Sequence, residues 1–151
     1  MDIKKFLQFE FLKFIFFSLE GRINRQTWWY SKIFLYVISI LLSLPVALVV
    51  RELNLDENQT TRVISFLFLV FSAFGVFVDA KRLQDKSING LLAIVPYVMT
   101  IPYHFFLIPE SIVGPYGLVI VAIEIYIFIN VGFLKGNDGS NKYGDLDDFS
   151  S

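Results

Sequence analysis

The stretch Asp79-Ala-Lys-Arg-Leu-Gln-Asp85 sets two carboxylates around a lysine and an arginine. Paired carboxylates can hold magnesium or act as general acid and base. If the segment is helical, Asp79 and Arg82 are three apart and Lys81 and Asp85 four apart, so each acid can meet a basic neighbour. The constellation could bind a charged ligand at a membrane surface, or it could lock a hairpin through salt bridges. A second basic group, Gly21-Arg22-Ile-Asn-Arg25, runs into Trp28, Trp29 and Tyr30. A guanidinium presents a planar fork of donors to phosphate, which makes Arg22 and Arg25 candidates for lipid headgroups or another anion. The simpler reading is a collar, with arginines among headgroups, the aromatics as an interfacial belt, and Gly21 as a turn.

Much chemistry is excluded. Cysteine is absent, which removes disulfides, thiol nucleophiles and thiolate metal sites. His104 is the only histidine, so neither a histidine metal cluster nor a triad can be built on it. No catalytic residue, metal or cofactor is expected, and no nucleic-acid partner. Glu124 lies within an apolar run, where an ionisable group is expensive and a functional site is the default hypothesis. It could carry protons, or it could join helices as a neutral acid, as Asn130 could with its amide.

These residues must be positioned by helices in lipid. The 151 residues are 55% hydrophobic and 18% charged, with a mean hydropathy of +0.59. A soluble domain this small could not bury so much apolar surface. Four apolar segments, at about 28–50, 63–78, 91–108 and 113–134, predict four transmembrane helices. The second is short, and snorkelling of the flanking Arg62 and Asp79 would let it reach. Pro96 and Pro102 are expected to kink the third. The segment 3–19 looks helical but is too charged to span, and is expected to lie as an interfacial helix on the inner leaflet. Residues 135–151 form a polar tail, and the amino terminus shows no cleavable signal pattern. With both termini inside, the cytoplasmic side holds 11 of the 13 lysines and arginines, a decisive positive-inside bias.

Taken together, three stretches resemble the domain of unknown function 805 family, small bacterial inner-membrane proteins with several spans. Its Gly-Arg-x-x-Arg opening is matched by Gly21, Arg22 and Arg25, followed by Trp28 and Trp29. Its central Ala-Arg-Arg-Leu-His-Asp motif is matched by Ala80 to Asp85, and its Gly-x-x-Gly-x-Asn-x-Tyr-Gly close by Gly136, Gly139, Asn141, Tyr143 and Gly144. Gln84 stands where the family has histidine, and Leu91 where it usually has tryptophan. The resemblance implies a bacterial inner-membrane location and carries over no catalytic residue.

The charge count puts all three motifs on the cytoplasmic face, where Arg22, Arg25, Lys81, Arg82, Asp85 and Asn141–Tyr143 are expected to pack together. The expected protein is one all-α integral-membrane domain, a four-helix transmembrane bundle behind an interfacial helix, N-in and C-in. Three functions fit. The leading one is a non-enzymatic scaffold or interaction protein whose inner-face patch holds anionic lipid headgroups, a second copy or another membrane protein. The others are a small transporter or channel subunit centred on Glu124, and a membrane enzyme acting on lipid headgroups through Asp79 and Asp85.

Overall fold

The computed structural model describes residues 8–145. Residues 3–7 of the expected interfacial helix and 146–151 of the tail lie outside the described residues. Within them the chain forms five α-helices: α1 (Phe9–Phe17), α2 (Arg25–Glu52), α3 (Glu57–Asp85), α4 (Ile94–His104) and α5 (Glu110–Gly132). Among the described residues there is no strand. Three helices, α2, α3 and α5, are long and apolar enough to cross a membrane.

Local sequence sets the helix boundaries. The Asn24 side chain accepts from the Thr27 amide at 2.8 Å, giving one of the otherwise unpaired first amides of α2 an acceptor. Asp56 and Gln59 close a reciprocal capping box at the start of α3. Between these helices Asn54 takes φ +48°, a left-handed conformation that asparagine tolerates better than most residues. Gly21 takes φ +101°, which a side chain would strain, and there the chain turns from α1 towards α2.

The segment expected to span at 91–108 is shorter than expected. Gly90–Ala93 is a 3-10 turn, and α4 stops at His104. Phe106 adopts φ +56° and the Leu107 amide reaches back to the Pro102 carbonyl at 2.9 Å, the long bond that closes a helix end. At about 1.5 Å per residue α4 covers about 16 Å, half the hydrocarbon thickness. His104 packs its ring 5.2 Å from that of Phe68.

Helices α2 and α3 run antiparallel, and α5 runs parallel to α3. The starts of α2 and α4 and the ends of α3 and α5 therefore share one end of the bundle, called the clamp end below. The core concentrates there, around Trp28, Val78, Leu83 and Val131. α1 packs on α3 and contributes Phe11, Ile15 and Phe16, all buried. Phe11 and Ile15 are four apart, so they share one helix face. Away from the clamp end the bundle exposes apolar side chains such as Leu41, Leu48, Ile64, Phe66 and Leu118. A continuous apolar surface of this kind suits lipid, which the three long helices also imply.

Candidate functional site

Asp85, the last residue of α3, is where the three motifs meet. Its Oδ1 accepts from Arg22 Nη2 at 2.9 Å and Nε at 3.3 Å, and its Oδ2 pairs with Arg82. Arg22, Arg82 and Asp85 are 0%, 1% and 3% exposed, so the two guanidiniums face the protein and not a headgroup layer. Arg22 Nη1 also donates to the carbonyls of Gly139 at 2.8 Å and Gly144 at 2.6 Å, and Nη2 to that of Asn137 at 3.2 Å. The fork that could have gripped phosphate grips the chain's own tail.

The cluster also finishes two helices. The last carbonyls of a helix lack intrahelical donors. At the end of α5, Arg82 Nε donates to Val131 O at 3.0 Å, Trp29 Nε1 to Gly132 O at 3.0 Å, Arg25 Nη1 to Phe133 O at 3.0 Å, and Arg82 Nη2 to Leu134 O at 2.7 Å. At the end of α3 the tail does the same work. The Asn137 amide donates to Asp85 O at 3.0 Å and Asn141 Nδ2 to Gln84 O at 2.9 Å. Two buried arginines share one carboxylate here, which would be an excess of positive charge in isolation. Two helix C-termini, each carrying about half a negative charge, converge on the same place and offset it.

Close approach is what the tail glycine supplies. A Cβ added at Gly136 would overlap Asp85 Oδ2 and stand 2.6 Å from Asp85 Cγ and 2.7 Å from Arg82 Nη1. Sequence reasoning matched Gly136 to a motif but gave it no role, because the contact spans fifty positions of chain. Asn141 and Gly144 close the tail with reciprocal backbone bonds, and Asn141 Oδ1 accepts from the Tyr143 amide at 2.8 Å. Lys142 and Arg25 remain exposed.

Other residues are placed differently from expectation. Lys81 does not join Asp85. It turns to α1, where Nζ donates to the carbonyls of Ile15 at 3.3 Å and of Ser18 and lies 5.0 Å from the Phe14 ring. Asp79 does not pair with Arg82. It accepts from Lys32 Nζ and from Trp28 Nε1, both at 2.7 Å. The reason is tertiary, since partners on α1 and α2 outcompete weak neighbours along one helix. Gly75 leaves room for Lys32, whose Nζ would stand 3.1 Å from an added Cβ. The signal that could have found this pair was one cation and one acid intruding on apolar runs near the same end.

The aromatic-belt expectation fails for Trp28, which is 1% exposed and faces the bundle, where its indole N–H has a half-buried acceptor in Asp79. Trp29 and Tyr30 stay half-buried. Replacing Trp28 with phenylalanine keeps a smaller aromatic ring but loses a hydrogen bond to a charged group. It should cost about 1.5 kcal/mol, the low end because Asp79 keeps Lys32, read as a lower unfolding midpoint in detergent. Gln84 donates to Leu19 O at 2.8 Å, while its Oε1 is buried without a partner among the described residues. Asn130 accepts from Lys86 Nζ at 2.7 Å. Burial, and after it the nearby Arg82 charge, lowers the Lys86 ammonium from its ordinary value.

Glu124 stands apart from the clamp. It lines a cavity of about 1070 Å³ between α2, α3, α4 and the half of α5 nearer the clamp end. Neither a hydrogen bond nor an ion pair reaches it among the described residues. Nor do the described residues contain a group of three or more acidic, histidine or cysteine side chains fit to hold a metal.

Three long apolar helices, a lipid-suited exterior and an end tied by buried arginines define a helical membrane protein. Residues 16–145 match the family model described as Protein of unknown function (DUF805), and the chain belongs to that family. Neither the curated proteins nor the solved structures give a match.

Proposed function

We propose that the chain is a single integral-membrane domain that crosses a bacterial inner membrane four times, with both termini in the cytoplasm. In this reading it is a non-enzymatic scaffold whose cytoplasmic end engages anionic lipid headgroups or a membrane partner. The carrying observation is the Asp85 cluster. Its guanidiniums are committed to internal acceptors and tie the start of α2, the ends of α3 and α5, and the tail into one fixed platform. Four crossings are supported by connectivity. Because α3 and α5 both end at the clamp, the chain between them must travel to the far end, and α4 makes that passage despite its length. Among the described residues, nine of the 11 lysines and arginines belong to segments at the clamp side, which supports its being cytoplasmic.

Recognition then falls to cations on the rim, Arg25 and Lys142, rather than to buried Arg22 and Arg82. Extraction into native-lipid nanodiscs with Arg25→Ala and Lys142→Ala should lower retained anionic lipid or partner about fivefold per charge, from about 1 kcal/mol for each basic residue at a membrane surface. Unchanged retention in both variants rejects the scaffold. A reporter fused after Ser151 that works only outside the cell rejects the orientation. One observation favours a second reading, a small transporter or channel subunit: Glu124 on the cavity wall. Flux in proteoliposomes that Glu124→Gln leaves intact would remove it.

A further inference from the structure

Three ionisable side chains line the same cavity at similar depth. Counted at about 1.5 Å per residue from the clamp-end termini of their helices, Lys32, Asp79 and Glu124 lie about 9–12 Å in. Two of them neutralise each other, since Lys32 and Asp79 form an ion pair at 2.7 Å. Glu124 has no such partner among the described residues. A fourth charged residue on the wall, Arg51, sits at the far end of α2, more than twenty positions from Trp28. The half of the cavity nearer the clamp is therefore left with one unbalanced carboxylate.

Apart from its charged residues the cavity wall is mostly apolar and aromatic. Trp28, Tyr36, Phe71, Tyr97 and Phe128 contribute rings, while Ser39 and Ser72 add hydroxyls. The volume of about 1070 Å³ is at the large end of the range for sites that enclose small molecules. A carboxylate on a wall rich in aromatic rings selects a cation, because the face of each ring also attracts positive charge. The apolar wall selects a hydrocarbon body for that cation. Helix α5 contributes to the lining only from Val121 to Val131, so the cavity continues past it between α2 and α3, where an alkyl chain can extend.

We propose that this cavity binds a single-chain amphiphile with a cationic amine head, whose ammonium pairs with Glu124 and whose alkyl chain lies between α2 and α3. The proposal stands on the cavity alone and requires neither the scaffold nor transport. It is distinct from the Asp85 clamp, whose arginines are held by Asp85, the end of α5 and the tail.

The chain contains two tryptophans, and both line this cavity, so intrinsic fluorescence reports on its occupancy. The test uses the full chain in phosphatidylcholine nanodiscs, titrated with a brominated alkyltrimethylammonium, a neutral brominated alkyl glucoside and a brominated alkyl sulfate of equal chain length. The ammonium probe should quench saturably at about tenfold lower concentration than the neutral one, the factor that about 1.4 kcal/mol gives. The sulfate should be weakest. Glu124→Gln should bring the ammonium curve onto the neutral curve, and Glu124→Asp, which keeps the charge, should preserve the order. If Glu124→Gln does not fold, the cavity-filling variant Ser72→Phe serves instead and should remove saturable ammonium quenching. Equal quenching by the three probes overturns the proposal, as does selectivity unchanged by Glu124→Gln. Saturable ammonium quenching that survives Ser72→Phe overturns it too.

Discussion

Replacing Asp85 with asparagine should destabilise the folded protein by about 3–5 kcal/mol, the cost of leaving a buried charge without its partner. The figure applies with force here because Asp85 answers two guanidiniums, Arg22 and Arg82, both buried. Asparagine keeps the shape and one acceptor but places an amide N–H₂ where one arginine donates. The helix dipoles of α3 and α5 remain, yet alone they do not balance two full charges. Unfolding midpoints in detergent, followed by Trp28 and Trp29 fluorescence, measure the loss. Arg22→Gln together with Asp85→Asn should cost less than the sum of the single changes, since one change removes the stranded partner of the other. A loss within about 0.5 kcal/mol, as at an ordinary surface position, would show that the cluster does not hold the fold. Arg22→Lys should also fail to substitute, because a single ammonium cannot reach Asp85, Gly139 and Gly144 as the guanidinium fork does.

The second large effect is expected from a single methyl group. Gly136→Ala would put a Cβ into the space of Asp85 Oδ2 and within 2.6–2.7 Å of Asp85 Cγ and Arg82 Nη1. Overpacking alone costs about 1–3 kcal/mol. Here the atoms in the way are the ion pair itself, so relief requires either breaking it or lifting the tail from α3. Either way the loss approaches about 3–5 kcal/mol. Limited proteolysis separates the two routes, since a lifted tail is cut between Gly136 and Asp145 while the helices stay intact. Gly139→Ala is the control. It has φ +72° and, among the described residues, nothing within 4 Å of an added Cβ, so it should cost only about 1–2 kcal/mol of left-handed strain. Equal midpoints for the two alanine variants would remove the close-approach argument.

Much of the fold was legible in the sequence because lipid imposes a simple code. The apolar runs at 28–50 and 63–78 fall within α2 and α3, and the run at 113–134 overruns α5 by two residues, since an apolar run in lipid has to satisfy its backbone internally. The 91–108 segment was misjudged in length. Hydropathy does not register Phe106 in a left-handed conformation, nor the Pro102 carbonyl closing the helix early. Arg22, Arg82, Asp85 and Asn141, in separate motifs, do lie together. Lys81 and Trp28 were read from their neighbours in sequence, although α1 carbonyls and Asp79 decide where they point.

By itself, then, the sequence determined that the chain is helical, roughly where its three long helices lie, and which family it belongs to, because hydropathy and motifs are read over short stretches of chain. The use of its charges was decided only by tertiary structure. A guanidinium near a membrane is chemically the same whether it meets phosphate or a backbone carbonyl, and only the arrival of the Gly136–Gly144 tail over α3 selects the carbonyls. For Glu124 the same logic runs the other way. The approach of Asp79 to Lys32 occupies the cation at similar depth on the cavity wall and leaves that carboxylate open to a ligand.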